Sequence, residues 1–323
     1  MRVATAGEAL IDLIAQPDGR YEPCLGGAVF NLTRALARQG VGTLYLNPLS
    51  SDRFGRRLAD ALLGDGAQLA RPQPVSASTS LAVVGLDDTG HPDYAFYRQG
   101  VADRAVTAEG LIASCRRAPV LDMVCTGALA LAPEDAAHYL PWLRAQREAG
   151  TVVVVDANLR LSVMPDPAAY RRNVHEALQC ADVIKVSDED LASLQVPGGH
   201  ALEQAQHLLE AGSARLLVLT LGPQGACLLT REGQRWQARE SQRLEVVDTV
   251  GAGDCFLAGL VVALLTRENG AGRGLDPLDD LAGRRLLSHA VASASLCVMR
   301  RGCVPPTRDE VQARVQQVPC LFS

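Results

Sequence analysis

The stretch VVDTVGAGDCFLAGLVVALL, Val246 to Leu265, joins a glycine-rich turn carrying one carboxylate to a long apolar run. Phe256, Leu257, Leu260, Val261, Leu264 and Leu265 recur at helical spacing, which predicts a buried helix starting at Gly251-Ala252-Gly253-Asp254. Two glycines weaken a helix start. What they supply is access. The first amides of a helix have no partner inside it, and with the positive end of the helix dipole they form an anion site that a phosphate can approach closely. Asp254 then has two readings. It complements the dipole as an ordinary first-turn acid, or it takes a proton from a hydroxyl that attacks a bound phosphoryl group. Asp248 reads as a turn or cap residue.

Around this stretch, short Val- and Leu-rich runs recur: VLDMVCTGAL from Val120, TVVVVDANLR from Thr151, ADVIKVSDED from Ala181 and ARLLVLTLGPQG from Ala214. Each reads as a strand buried on both faces. Between them lie helical stretches, PEDAAHYLPWLRAQREAG with Pro133 near its start and HALEQAQHLLEAG closed by Gly212. Such alternation predicts an α/β fold, a parallel sheet with helices on both faces. Polar residues gather after the strands: Asp156, Asn158 and Arg160; Ser187, Asp188, Glu189 and Asp190; Thr220 and Gly222. They mark turns, or they line one crevice beyond the carboxyl ends of the strands. Two segments break the alternation, DLIAQPDGRYEPCLGG and STSLAVVGLDDTGHPDYAFYRQGVADRA. Their D-G and T-G signals predict hairpins standing apart, a small β-lid from about 12–25 and 77–105. No linker or internal repeat divides the chain, so 1–323 reads as a single domain.

Composition narrows the function. A net charge of −5 and scattered arginines give no nucleic-acid footprint. Lys185 is the one lysine and lies in no phosphate loop, so a P-loop is excluded, and GAGDCF lacks the last glycine of a dinucleotide fingerprint. The nine cysteines form no C-x-x-C pair and read as reduced, buried small hydrophobes, neither a metal ribbon nor a disulfide scaffold. No run approaches a membrane span or a secretory leader, which predicts a cytoplasmic protein without membrane contact.

With DTVGAGD, the segments GEALID, GGAVFN (Gly26 to Asn31), DANLR (Asp156 to Arg160), SDED (Ser187 to Asp190) and TLGPQG (Thr220 to Gly225) resemble, in order, the motifs of the ribokinase-like (phosphofructokinase-B) sugar kinases. The resemblance runs from about Val3 to about Arg308. It implies a three-layer α/β sandwich of nine or so strands, mostly parallel, with a small β-lid, and a kinase using ATP and Mg2+. Asp254 would be the catalytic base, Gly251, Ala252 and Gly253 the anion hole, and Arg160 a cation near the transferred phosphate. Asp12, Gly26, Gly27 and Asn31 would hold sugar hydroxyls. Without the family they read as a solvated acid, a turn and a helix-start residue. Ser187, Thr220, Gly222 and Gly225 would contact the nucleotide, although TLGPQG is equally a tight turn into the next strand. Asp190 stands where the family often has Glu, so which of Asp188, Glu189 and Asp190 orders magnesium through water stays open. Asp248, with carbonyls near Val250 and the MRRG loop, would hold K+ in those members that use it. LSSDRFG keeps Asp52 and Gly55 of a further family segment, a structural variation.

YAFYRQGVADRA, Tyr94 to Ala105, looks most like bacterial fructokinases, in which a lid Arg and an acid close over the sugar; Arg98 and Asp103 are the counterparts. An Arg would also pair with the carboxylate of 2-keto-3-deoxygluconate. Asp103 would repel that carboxylate, which favours fructose phosphorylated at O6, while a plain ion pair on a hairpin needs neither. The other class of reading is a non-catalytic sugar or nucleotide binder. An exposed lid edge would suit a homodimer.

Overall fold

Met123–Gly127, Val152–Asp156, Val183–Ser187 and Leu216–Thr220 are the strands read from the apolar runs, and nearly every residue in them is buried. Their side chains divide by parity between two cores. Val124, Val153, Val155, Ile184, Val186, Leu217 and Leu219 pack into one, and Met123, Val152, Val154, Val183, Leu216 and Val218 into the other. Period-two alternation with both faces apolar therefore makes a central layer between two helical layers. Each fully buried aliphatic side chain contributes about 1.5–3 kcal/mol.

The computed structural model describes residues 2–16, 18–86, 92–266, 275 and 277–323 of the chain. Its main sheet has ten strands in the order Leu321–Phe322, Arg235–Arg239, Ala226–Thr230, Leu216–Thr220, Val183–Ser187, Val152–Asp156, Met123–Gly127, Val3–Thr5, Thr43–Tyr45, Gln68–Leu69. Pairings are parallel from Leu216–Thr220 through Gln68–Leu69 and antiparallel beyond Leu216–Thr220, at the edge bearing the chain's end. The sandwich is thus mostly parallel, as expected, with ten strands where nine or so were anticipated. Strand order reverses beside Val3–Thr5, which pairs with both Met123–Gly127 and Thr43–Tyr45, and such a reversal opens a crevice at the carboxyl ends.

A second sheet, in the order Tyr21–Gly26, Leu10–Ala15, Ser80–Leu86, Pro92–Tyr97, stands apart from the first. It contains the two expected hairpins, and Asp18-Gly19 turns the first of them, with Gly19 at φ 81°. The expected turn at Thr89-Gly90 lies outside the described residues. Residues 98–105 leave this sheet: Ala102–Arg104 form a buried helical turn, and Val101 bridges Ser78. Among the described residues no helix is long and apolar enough to cross a membrane.

Helix Ala252–Leu265 is buried at every position from Asp254 to Leu265, between helices Ala28–Arg38 and Asp280–Val298. Its N-terminus differs from most others. Seven of the ten α-helices in the described residues are capped by a side chain, from Asp52, Thr107, Asp166, Ser187, His200, Asp279 and Thr307. Gly251 caps Ala252–Leu265, and Gly27 caps Ala28–Arg38, with no side-chain bond. Each missing cap forgoes about 1 kcal/mol. Both glycine-capped ends open on the same cavity.

Candidate active site

That cavity, about 750 Å³, lies between the second sheet and the carboxyl ends of the parallel strands, and Asp12, Gly27, Asn31, Arg160, Asp248, Val250, Gly251, Gly253 and Asp254 all line it. The structure therefore gathers residues from four distant segments into one site. Backbone strain accompanies them. Ala128 (φ 50°) and Asn158 (φ 37°), each within two residues of the end of a parallel strand, adopt left-handed conformations and also line the cavity.

At the Gly251 end, Ala252 N turns back to Thr249 O at 3.2 Å, and Cys255 N makes the first regular helical bond to Gly251 O at 2.8 Å. The amides of Gly253 and Asp254 have no acceptor among the described residues. Of the three residues expected to form the anion hole, Ala252 therefore has its amide spent within the turn, and the open donors shift one residue onward to include Asp254 itself. Gly251 cannot be replaced cheaply: its φ is 76°, and a Cβ would lie 2.2 Å from Cys303 Sγ.

Asp254 is 8% exposed, and its Oδ2 accepts from Asn31 Nδ2 at 2.9 Å. Burial pushes its pKa up to about 7; Asp156 adds to the rise, and Asn31, Lys185 and Arg160 oppose it. A carboxylate so placed is a proton acceptor matched to neutral pH. Lys185 comes from the middle of a buried strand, with Nζ 2.8 and 2.9 Å from the two oxygens of Asp156, and a Cβ on Gly253 would lie 3.2 Å from that Nζ. Burial opposes the charge on Lys185, but Asp156, Asp190 and Asp254 outweigh it and hold the ammonium protonated. The one lysine, which stands in no phosphate loop by sequence, is in space beside Gly253 and lines the same cavity. A lysine inside the apolar run VIKVS was the available signal, since burying an unpaired ammonium would be prohibitive.

At the opposite end, Asp12 reaches the cavity from the second sheet. Burial raises its pKa to about 6, against Arg160. Gly26 does not line the cavity but makes room for Asp12: a Cβ there would lie 2.1 Å from Asp12 Oδ2. Asn31 spends its amide on Asp254, leaving Oδ1 buried without a partner. Glu8, quoted within GEALID but not singled out, is buried in the cavity wall. Its Oε1 accepts from Ala28 N at 2.9 Å, its Oε2 has no partner, and burial raises its pKa to about 7 against the pull of Arg98. Leaving such an oxygen unpaired costs about 1–3 kcal/mol, which a ligand hydroxyl would recover.

Arg98 and Asp103 depart from the expectation of a closing lid pair. Neither lines the cavity, because residues 98–105 fold back into the body. Asp103 is 2% exposed and accepts from Ser80 Oγ; Arg98 lies 3.9 Å from Asp103 and 3.5 Å from Asp135, which Arg104 holds at 2.7 Å. The pair is not a solvated hairpin contact but part of a buried charge cluster with Asp135 and Arg104.

Ser187, Thr220, Gly222 and Gly225 stand at the ends of adjacent strands outside the cavity wall. Ser187 and Asp190 form a capping box, Asp190 Oδ2 accepting from Ser187 N at 2.8 Å and Oδ1 from Leu159 N at 2.7 Å. Both Asp190 oxygens are thus engaged by backbone, and of the three acids only Asp188 and Glu189 face solvent. Gly222 and Gly225 turn Leu216–Thr220 into the antiparallel strand Ala226–Thr230. Asp248 accepts from Val250 N at 3.0 Å and Gly302 N at 2.9 Å, fastening the glycine turn to the loop after helix Asp280–Val298. Asp52 caps helix Arg53–Gly64 and binds Thr79, a structural use.

Comparison with known proteins supplies the family. The family model described as pfkB family carbohydrate kinase matches residues 2–310. A fructokinase of Rhizobium leguminosarum bv. trifolii is 32% identical over 81% of this chain and 79% of its own length, and an Escherichia coli fructokinase is 30% identical over 97% and 98%. The crystal structure of a Xylella fastidiosa fructokinase with bound ATP superposes with a TM-score of 0.80 at 28% identity, covering 98% of each chain. With a buried acid in an open helix mouth and a family match over nearly the whole sequence, the chain belongs to the pfkB family of carbohydrate kinases.

Proposed function

We propose that this carbohydrate kinase transfers the γ-phosphoryl group of ATP to O6 of fructose. The observation that carries the reading is Asp254: a buried acid with a pKa of about 7, beside unpartnered amides and across the cavity from Asp12. Asp254 takes the proton of the primary hydroxyl as its oxygen attacks the γ-phosphorus. The amides of Gly253 and Asp254 then meet charge growing on the transferred group, with Lys185 and Arg160 as fixed cations. Asp12, Glu8 and Asn31 offer acceptors to sugar hydroxyls. The second sheet, acting as a lid, would shield the phosphoryl group from water. Asp188 and Glu189 are the exposed acids able to order Mg2+ through water, which would neutralise charge on the nucleotide phosphates. For K+ the support is the family resemblance and a Vibrio cholerae fructokinase variant with potassium bound, 25% identical with a TM-score of 0.76; both oxygens of Asp248 already accept amides.

A neutral hexose fits better than a ketodeoxy sugar acid because the sugar end presents the carboxyls of Glu8 and Asp12, which repel a carboxylate once ionised. The likeness to fructokinases supports fructose among neutral hexoses. The test is ADP release measured with fructose, other hexoses, 2-keto-3-deoxygluconate and nucleosides. Fructose should show the highest kcat/KM. Faster turnover of the ketodeoxy acid would replace the substrate assignment, and binding without turnover of any would leave a non-catalytic binder.

A further inference from the structure

The helix mouth has a second side. Behind it, three cysteines from separate segments converge: Cys255 in the first turn of helix Ala252–Leu265, Cys297 at the end of helix Asp280–Val298, and Cys303 in the following loop. All three are buried free thiols, and their Sγ atoms lie within 4.8 Å of one another. No other three His, Cys, Asp or Glu donors meet in this way among the described residues. Intervals of 42 and 6 residues hide the group from any motif reading, and singly each thiol passes as a small hydrophobe.

We propose that Cys255, Cys297 and Cys303 bind one thiophilic divalent d10 cation of the Zn2+ class. A metal–sulfur bond of about 2.3 Å sets sulfurs just under 4 Å apart in a trigonal or tetrahedral site, so the observed spacing needs only a small contraction. A disulfide would use two of the sulfurs and leave the third with no role. Valence favours a dication: each thiol gives up its proton on binding, three thiolates and M2+ carry one net negative charge, and Arg34, whose Nη1 donates to Cys303 O at 3.3 Å, lies close enough to offset it. Cys303 also lines the cavity and so provides an entry path, and Val250 O, 3.6 Å from Cys297 Sγ, borders the site. Because a Cβ on Gly251 would meet Cys303 Sγ, the triad is packed directly against the turn that exposes the amides. An occupied site would pin that turn to the two helices behind it.

The site is tested on the full-length reduced protein with Cd2+ and Zn2+ alone, without sugar or nucleotide, so the result is independent of the kinase assignment. Cd2+ should bind one per chain with thiolate-to-metal charge-transfer absorption in the ultraviolet and release of protons. Cys297→Ser should weaken it roughly 100-fold or more, while the double variant Cys24→Ser, Cys320→Ser should bind as wild type. Zn2+ should raise the unfolding midpoint of wild type and leave that of Cys297→Ser unmoved. If Cys297→Ser fails to fold, Cys303→Ala carries the same comparison. Folded, reduced wild type that binds no Cd2+, or variants that bind it undiminished, would overturn the proposal.

Discussion

Two helices begin with glycine at this cavity, and their N-termini are used in opposite ways. At Gly27 two of the first three amides are already satisfied, Ala28 N by the Glu8 side chain at 2.9 Å and Phe30 N by Glu8 O at 3.2 Å. At Gly251 the amides of Gly253 and Asp254 have no acceptor among the described residues, with the Lys185 ammonium near Gly253 and the Asp254 carboxyl in the same turn. Glycine before a helix is therefore not enough to make an anion site. What matters is whether a neighbouring residue has taken donors, as Glu8 does with its carboxylate and its backbone carbonyl. Glu8 takes donors at one mouth, the side proposed to face the sugar; Lys185, held by Asp156, sets an ammonium near Gly253 at the other.

The difference is broken most severely at Asp254. Asp254→Asn keeps the hydrogen bond from Asn31 but cannot take a proton, and kcat should fall by about 10³ with ATP affinity little changed. The same variant should melt higher than wild type at pH 8. A carboxyl whose folded pKa is raised loses stability as pH climbs from its ordinary value through about 7, so the gain should vanish near pH 4, as thermal melts at the two pH values would show. Lys185→Met should lower kcat about 100-fold and, by stranding Asp156, destabilise by about 3–5 kcal/mol, measurable by denaturant titration. In wild type, kcat/KM should fall tenfold per unit below about pH 7, because only ionised Asp254 accepts the proton, and should level off above it. Glu8→Gln, at the closed mouth, preserves an acceptor for Ala28 N. It should leave kcat within about threefold and act mainly on the sugar KM. Equal kcat losses for Glu8→Gln and Asp254→Asn would erase the contrast.

The Gly251 end was the more legible in sequence because its parts are contiguous: a helix, its glycine cap and its acid fall within a few residues of Gly251. The parallel strands were legible for a similar reason, since burial on both faces leaves unbroken apolar runs. The surroundings of Arg98 and Asp103, expected from the resemblance to close over the sugar, were not legible because a motif does not say where the strand leaves its sheet, and neither residue lines the cavity. Residues 98–105 return to the body, and their charges pair with Asp135, which lies remote in sequence. Lys185 and the cysteine triad escaped for a related reason. Each owes its character to neighbours brought by other strands and helices, as Lys185 does to Asp156 and to the turn at Gly253.

The most direct measurement is a crystal structure with fructose, ADP, magnesium and aluminium fluoride, which mimics the phosphoryl group in flight. The account predicts the fluoride complex on the amides of Gly253 and Asp254, with the sugar O6 within hydrogen-bond reach of the Asp254 carboxylate. A fluoride complex seated at the Gly27 mouth, or an O6 turned away from Asp254, would contradict it.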